Sequence, residues 1–105
     1  MADWKLVDLC GAGDITRVCN VYELYEHTRL QGDFKIKVVE FRGGYYEAVA
    51  NVGFKGPDGE RFGHAGSGAS ELEALQDCIR WFMKTLDERG ECAPEDLFWT
   101  DPIRF

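Results

Sequence analysis

Basic residues are scarce in this chain, and this scarcity narrows the choice of partners. The chain has 12 Lys and Arg against 19 Asp and Glu, for a formal net charge of −7. Non-specific affinity for nucleic acid comes from cations that displace counterions from phosphates, so an acidic chain is poorly suited to it. The balance is uneven, because residues 34–69 carry five bases and four acids whereas residues 70–105 carry four bases and nine acids.

Long apolar runs and closely spaced cysteine pairs are also missing. No stretch approaches the roughly 20 apolar residues of a membrane span, and MADWKLVDLC lacks the basic and apolar regions of a signal peptide. We therefore expect a cytoplasmic protein without membrane contact. Zinc ligands usually occur in close pairs, and Cys10, Cys19, Cys78 and Cys92 form no C-x-x-C motif. We expect free thiols and no bound metal.

The remaining composition is that of a folded domain. Proline occurs only three times, and 45% of the residues are hydrophobic. We predict a single domain over residues 1–105, with a core at about 16–89. The tail, residues 90–105, contains apolar side chains that we expect to fold back on the core: Phe98, Trp99, Ile103 and Phe105.

Alternation of apolar and polar residues predicts three strands. Residues 33–41 place Phe, Ile and Val against lysines, which is the period-two pattern of a half-buried strand. Gly43-Gly44 predicts a turn into residues 45–54, which alternate again and complete a hairpin. Gly56-Pro57-Asp58-Gly59 predicts a second turn, and residues 60–66 a third, shorter strand.

Two helices are predicted on either side of these strands. Leu72, Leu75, Ile79 and Phe82 lie on one helical stripe in residues 70–89, with a capping box at Ser70. Residues 16–30 show mixed helical spacing and predict a first helix.

The predicted fold class is therefore α+β, in the order α-β-β-β-α. Both helices pack on one face of a three-stranded antiparallel sheet, with an N-terminal extension and a C-terminal tail. The other face stays open. We expect that face to carry Lys35, Lys37, Tyr45, Glu47, Val49 and Asn51.

The small-residue run GHAGSGASELEAL, residues 63–75, raises the question of a phosphate loop. A Walker-type loop needs a lysine that this run lacks, and the spacing of a dinucleotide fingerprint is also absent. We interpret the run as a hinge between a strand and a helix. His64 and Ser67 have no orienting acid at a recognisable spacing. We expect no enzyme activity and no cofactor.

Residues 16–86 resemble the double-stranded RNA-binding domain (dsRBD). The matching features are the segment VYELYEHT, three strands, and Gly66, Gly68, Ser70 and Ala74 before an amphipathic helix. The resemblance implies a dsRBD-like fold. It departs from that family where lysines grip phosphates, because this chain has Glu71, Leu72 and Leu75 at those positions, and Arg42-Gly43-Gly44 replaces a Pro-His pair.

A second resemblance is to HicB-type antitoxins. It rests on S-E-L-E-A-L at residues 70–75 and on the stretch LDERGECAPEDL at 86–97. In that family a small sheet and a helix block a dsRBD-like RNase toxin, which implies a protein-facing role.

These features predict a non-catalytic interaction module that binds a protein. The candidate protein-contact residues are Glu71, Glu73, Phe98, Trp99 and Phe105. The alternative is RNA binding through the hairpin, with candidate contacts Lys35, Lys37, Arg42, Tyr45 and Lys55. Mimicry of nucleic acid by the acidic second helix is a third interpretation, and the oligomeric state is left open.

Overall fold

The structure, a computed structural model, describes residues 3–90 and 93–100, and strands dominate it. The strands form two antiparallel sheets, and one long helix, α1 (Glu71–Arg89), packs on the larger sheet. Short 3₁₀ turns lie at Trp4–Leu6 and Pro94–Asp96. The strands are β1 (Thr16–Glu26), β2 (Gly32–Phe41), β3 (Tyr46–Ala50), β4 (Val52–Lys55), β5 (Arg61–Phe62), β6 (Ala65–Gly68) and β7 (Leu97–Trp99).

The predicted first helix is wrong, because residues 16–26 form the strand β1. This strand pairs antiparallel with β2 along its whole length. Valine, threonine and tyrosine are frequent in it, and these residues favour extended backbone over helix. A bulge between Val18 and Asn20 shifts the strand register. The bulge interrupts the alternation and leaves Val18, Val21, Tyr22 and Tyr25 at spacings that imitate a helical stripe.

The predicted three-stranded sheet with two covering helices is also wrong. The larger sheet has four strands in the order β1-β2-β3-β6, and the smaller one has three in the order β5-β4-β7. The chain crosses between the sheets at Asn51, which lies between β3 and β4. The Asn51 side chain accepts a hydrogen bond from the Lys35 amide at 2.8 Å, and its carbonyl accepts one from the Thr100 amide at 2.8 Å.

Asn51 is therefore buried, whereas the sequence placed it on the open face. The Asn51 side chain is hydrogen-bonded to Lys35 and its backbone carbonyl to Thr100. These bonds fix the residue at which the chain passes from the larger sheet to the smaller one. Alternation alone does not reveal such a change of sheet.

Two predicted elements are confirmed. The β2–β3 hairpin forms around Gly43-Gly44, with Gly44 at a φ of 91°. Helix α1 begins after Ser70, whose hydroxyl accepts from the Glu73 amide at 3.2 Å, and it ends at Gly90 with a φ of 74°. Both glycines adopt a backbone conformation that residues with a side chain rarely reach.

The core lies between α1 and one face of the four-stranded sheet, here called the covered face. Phe82 of α1 stacks on Phe34 of β2, with ring centroids 4.4 Å apart, and packs near Phe54 of β4. The fully or almost fully buried apolar residues are Phe34, Ile36, Val38, Ala48, Ala50, Val52, Phe54, Ala74, Cys78, Phe82, Leu86 and Leu97.

Gly66 and Gly68 answer the question raised by the small-residue run. They lie in β6 directly beneath α1, where a Cβ on Gly66 would collide with the backbone of Ala74 and Cys78. A Cβ on Gly68 would collide with the start of the same helix, at Glu73. The two glycines therefore permit close packing of helix on strand.

Candidate functional site

The second face of the four-stranded sheet, here called the open face, has no helix packed against it. Its side chains alternate with the buried ones, so Lys35, Lys37 and Val39 point away from α1 while Ile36 and Val38 point toward it. The strand residues on the open face are Thr16, Val18, Val21, Glu23, Tyr25, Asp33, Lys35, Lys37, Val39, Phe41, Glu47, Val49, Ala65 and Ser67.

Four valines surround Lys37 on the open face. Val21 and Val49 lie on either side of Lys37 in the strand register, and Val18 lies opposite Val39. Val18 is 54% exposed and Val21 is 52% exposed. Solvated faces of antiparallel sheets are usually polar, so this valine stripe (Val18, Val21, Val39 and Val49) is apolar surface beyond what the sheet alone requires.

The bulge in β1 contributes directly to this stripe. Asn20 and Tyr22 lie on the covered face opposite Val38 and Ile36. Regular alternation would place Val18 on that face too, and the extra residue at position 19 sends it to the open face instead. The same shift turns Arg17 to the covered face, opposite Glu40.

An aromatic pair closes one end of the open face. Tyr45, in the hairpin turn, stacks on Phe41 with centroids 4.5 Å apart and an interplanar angle of 6°. Tyr45 is 48% exposed, so one side of its ring is accessible. Such a ring offers a large, rigid contact surface.

Charges of both signs surround the valines. Glu23 lies directly opposite Lys35 in the β1–β2 register, and Glu47, which pairs with Val39, is two residues from Val49, the partner of Lys37. Side chains at such positions on one face are close enough to interact. The lysines of the open face are therefore accompanied by carboxylates, and the face has no single-sign field.

The structure brings together only part of the predicted RNA-contact set. Lys35, Lys37 and Tyr45 share the open face. Arg42 lies in the hairpin turn and donates to the carbonyl of Val7 at 3.1 Å. Lys55 lies in the smaller sheet, where β4 pairs with β5, and its carbonyl accepts from Arg89 at 3.3 Å.

The predicted protein-contact residues are scattered. Glu71 accepts hydrogen bonds from Asn20 and Tyr22, and Glu73 accepts one from the Ala69 amide at 2.9 Å. Phe105 lies outside the described residues.

The tail residues Phe98 and Trp99 form part of β7, which pairs with β4. Phe98 is half-buried, and the Arg61 guanidinium lies 5.5 Å from its ring centroid. Trp99 is 50% exposed. Phe98 thus packs within the domain, and Trp99 presents half of its surface to solvent.

The free edge of β6 is closed by carboxylates of α1. Asp77 accepts from the Ser67 amide at 3.1 Å, as Glu73 does from that of Ala69. A cavity of about 460 Å³ lies beside this edge, with lining residues Ser67, Leu72, Glu73, Gln76, Asp77 and Arg80. Because the outward amides are already bonded, this edge is blocked against addition of another strand.

His64 sits between the two sheets and α1. Its Nε2 lies 2.9 Å from the Thr85 hydroxyl, which itself donates to the carbonyl of Trp81, so Nε2 carries the proton. Nδ1 is buried without a partner among the described residues. Burial, with the nearby Arg89 charge, lowers the pKa of His64. The ring is therefore neutral and lacks the acid that would orient a catalytic base.

The described thiols are free. Cys10 is exposed, Cys19 is half-buried and Cys78 is buried. Burial raises the pKa of Cys78 to about 11 and also raises that of Cys19. Nucleophilic cysteines need the opposite shift.

Sequence reasoning missed Val18 and Val21, which it placed on a helix. A usable signal was present, because β-branched and aromatic residues make up much of β1.

Comparison with known proteins gives no relative: no protein-family model, curated protein or solved structure matches this chain. The resemblances to the dsRBD and to HicB-type antitoxins stay predictions.

Two general features complete the site description. Within residues 3–90 and 93–100, no group of three or more His, Cys, Asp and Glu is placed to hold a metal ion. No helix in the described part of the chain has both the length and the apolar character needed to span a membrane.

Proposed function

We propose that this protein is a non-catalytic interaction module that binds a protein partner through its open face. The observation that carries the proposal is the valine stripe. Val18 and Val21 lie on the edge strand β1, and each exposes about half of its surface on a sheet face against which no described helix packs.

Exposed apolar clusters of this kind mark interaction surfaces in folded proteins. The Phe41–Tyr45 stack adds an aromatic contact at the edge of the stripe, and aromatic residues are enriched in protein interfaces. Glu23 and Lys35 at the periphery supply charges of both signs. Exposed valines and an aromatic pair, flanked by charges of both signs, are a composition found in protein-binding sites.

RNA binding is the alternative, because Lys35, Lys37 and Tyr45 share the open face. Phosphate binding requires an excess of positive charge, whereas Glu23 lies opposite Lys35 and Glu47 lies diagonal to Lys37, so the net positive charge of the face is small. These features favour the protein partner.

Site-specific photo-crosslinking tests the proposal. A benzophenone amino acid replaces Val21 on the open face in one variant and Leu72 on α1, which is 72% exposed, in another. We expect protein crosslinks in cells from position 21 and none of the same partners from position 72. Equal crosslinking from both positions would contradict the proposal.

The alternative, RNA binding, is tested by titrating labelled duplex and single-stranded RNA with the protein. Anisotropy is measured at about 50 mM and about 200 mM salt, because phosphate contacts weaken steeply over that range. We expect no binding at either concentration. Micromolar RNA binding that weakens with salt and is lost in Lys37→Glu would contradict the proposed protein partner and support RNA binding.

A further inference from the structure

A cavity on the covered side of the sheet, here called the charged cavity, contains opposite charges that do not neutralise one another. It has a volume of about 280 Å³ and is lined by Arg17, Cys19, Asn20, Tyr46 and Glu71. It lies where the β1 bulge meets the first turn of α1. Neither the valine stripe nor the open face contributes to it.

Arg17 is held in the charged cavity by a buried carboxylate. The bulge turns Arg17 toward Glu40, and its Nη2 donates to Glu40 Oε1 at 2.8 Å. Lys5 Nζ pairs with the other oxygen of Glu40, also at 2.8 Å. The hydrogen bonds from Lys5 and Arg17 lower the pKa of Glu40. Two cations therefore share the Glu40 carboxylate, and Asp3 supplies a second negative charge near Lys5.

Glu71 is held on another wall by neutral groups. Its Oε1 accepts from Asn20 Nδ2 at 2.8 Å, and its Oε2 accepts from the Tyr22 hydroxyl at 2.9 Å. No cation lies within 4.0 Å of this carboxylate, Arg17 included, among the described residues. Its negative charge is oriented by β1 and favoured by the N-terminus of α1, and it has no ion-pair partner among the described residues.

Tyr46 adds a hydroxyl group to the lining of the cavity. Its hydroxyl makes no hydrogen bond to any described residue, although it lines the charged cavity and lies near Lys5 and Arg17. Cys19 is a poor nucleophile, because burial raises the pKa of its thiol. The cavity is thus equipped for binding and lacks a reactive group.

We propose that the charged cavity binds a free α-amino acid, with the ligand carboxylate at Arg17 and the ligand ammonium at Glu71. A guanidinium presents a planar set of donors that matches a carboxylate, and its remaining N–H groups are available beside the one bonded to Glu40. The Tyr46 hydroxyl can donate to the same carboxylate. A simple anion is disfavoured by Glu71, and a simple cation by the Arg17 and Lys5 pair.

The size of the cavity fits this ligand class. Pockets for drug-sized molecules span about 300–1,000 Å³, and this one is smaller. For so few ligand atoms we expect a dissociation constant of about 1 mM. The proposal is independent of the partner bound at the open face.

The test is an NMR titration of the ¹⁵N-labelled protein with L-alanine, N-acetyl-L-alanine and L-alaninamide. The two derivatives each lack one ligand charge. We expect saturable shifts of the Arg17, Asn20, Tyr46 and Glu71 amides with alanine, and binding at least about tenfold weaker with either derivative. Shifts that fail to saturate, that centre elsewhere, or that are equal for all three ligands would overturn the proposal.

Variants of the lining residues make the test specific. Glu71→Gln keeps the shape of the side chain and should weaken alanine binding at least about tenfold. Glu88→Gln removes a charge from an exposed position on the same helix and should leave it unchanged. Tyr46→Phe removes only the unpaired hydroxyl, so it preserves the fold and should weaken binding as well. Wild-type affinity in both Glu71→Gln and Tyr46→Phe would refute the site.

Discussion

Both faces of the four-stranded sheet carry aliphatic side chains, but these are buried on one face and half-exposed on the other. On the covered face, Ile36 and Val38 are fully buried against α1, which removes their apolar surface from water. On the open face, Val18 and Val21 keep about half of theirs exposed. Burial of apolar surface is what stabilises a fold, so the covered face accounts for stability and the open face is available for binding.

The largest expected difference between the faces is in the cost of truncating an aliphatic side chain. Ile36→Ala should lower the free energy of unfolding by about 3 kcal/mol, because it leaves a cavity beneath α1. Val21→Ala, on the neighbouring strand of the open face, should cost about 0.5 kcal/mol. Urea denaturation of both variants measures the two values. Similar costs would show that something covers the open face.

Adding a methyl group should reveal the same asymmetry at β6. Gly66→Ala places a Cβ against the Ala74 and Cys78 backbone and should cost about 2 kcal/mol. Ala65→Val, one residue away on the opposite face, should change stability by less than about 0.5 kcal/mol. A tolerated Gly66→Ala in the same denaturation assay would contradict the close helix–strand contact.

The buried carboxylate of Glu26, on the covered face, should make the stability of the protein depend on pH. Burial works to raise the pKa of Glu26, but hydrogen bonds from Thr28, Arg29 and Leu30 outweigh it and lower that pKa to about 2. The stabilisation is complete above pH 4.5 and is lost as the pH falls toward 2.

Glu26→Gln should therefore cost about 1 kcal/mol at neutral pH and reduce the acid sensitivity of unfolding. Glu23→Gln, on the open face of the same strand, is the matched control and should do neither. Acid titration of the unfolding free energy by circular dichroism compares the three proteins. An unchanged acid profile for Glu26→Gln would contradict the assigned role.

The smallest expected effect comes from His64, beneath α1. Its pKa is lower in the folded protein than in the unfolded chain, mainly through burial, so the unfolded state binds more protons in mild acid. Stability should fall as the pH drops below 6.5, by uptake of less than one proton. His64→Leu should flatten the profile between pH 5 and 7 in the same measurement, and an unaltered slope would contradict the assignment.

The sequence predicts the parts of the fold that depend on local signals. Helix α1 carries a capping box at Ser70 and a glycine after its last turn, and the β2–β3 hairpin combines clear alternation with Gly43-Gly44. Each of these signals acts within a few residues, and the structure agrees with them, except that Glu73 accepts from the Ala69 amide in place of the Ser70 amide, so only the serine half of the capping box forms.

Features that depend on tertiary structure were not predictable in this way. The bulge near Cys19 interrupts the alternation in β1, so its apolar spacing was interpreted as that of a helix. The alternation continues through Asn51, so β3 and β4 were predicted as one strand. The open face was predicted in outline from Lys35 and Lys37, but Val21 was assigned to a helix, and Val18 reaches this face only through the bulge. Register defects and changes of sheet are set by packing partners distant in sequence.

The central claim is tested most directly by measuring how a captured partner binds to a variant of the open face and to a variant of α1. The partner identified by crosslinking from position 21 is titrated against wild-type protein, Val21→Lys and Leu72→Lys. Because a charge in a desolvated apolar interface is costly, we expect Val21→Lys to weaken binding at least about 100-fold and Leu72→Lys to leave it within about twofold. Equal affinity of Val21→Lys and wild type would contradict the assignment of the open face as the binding surface.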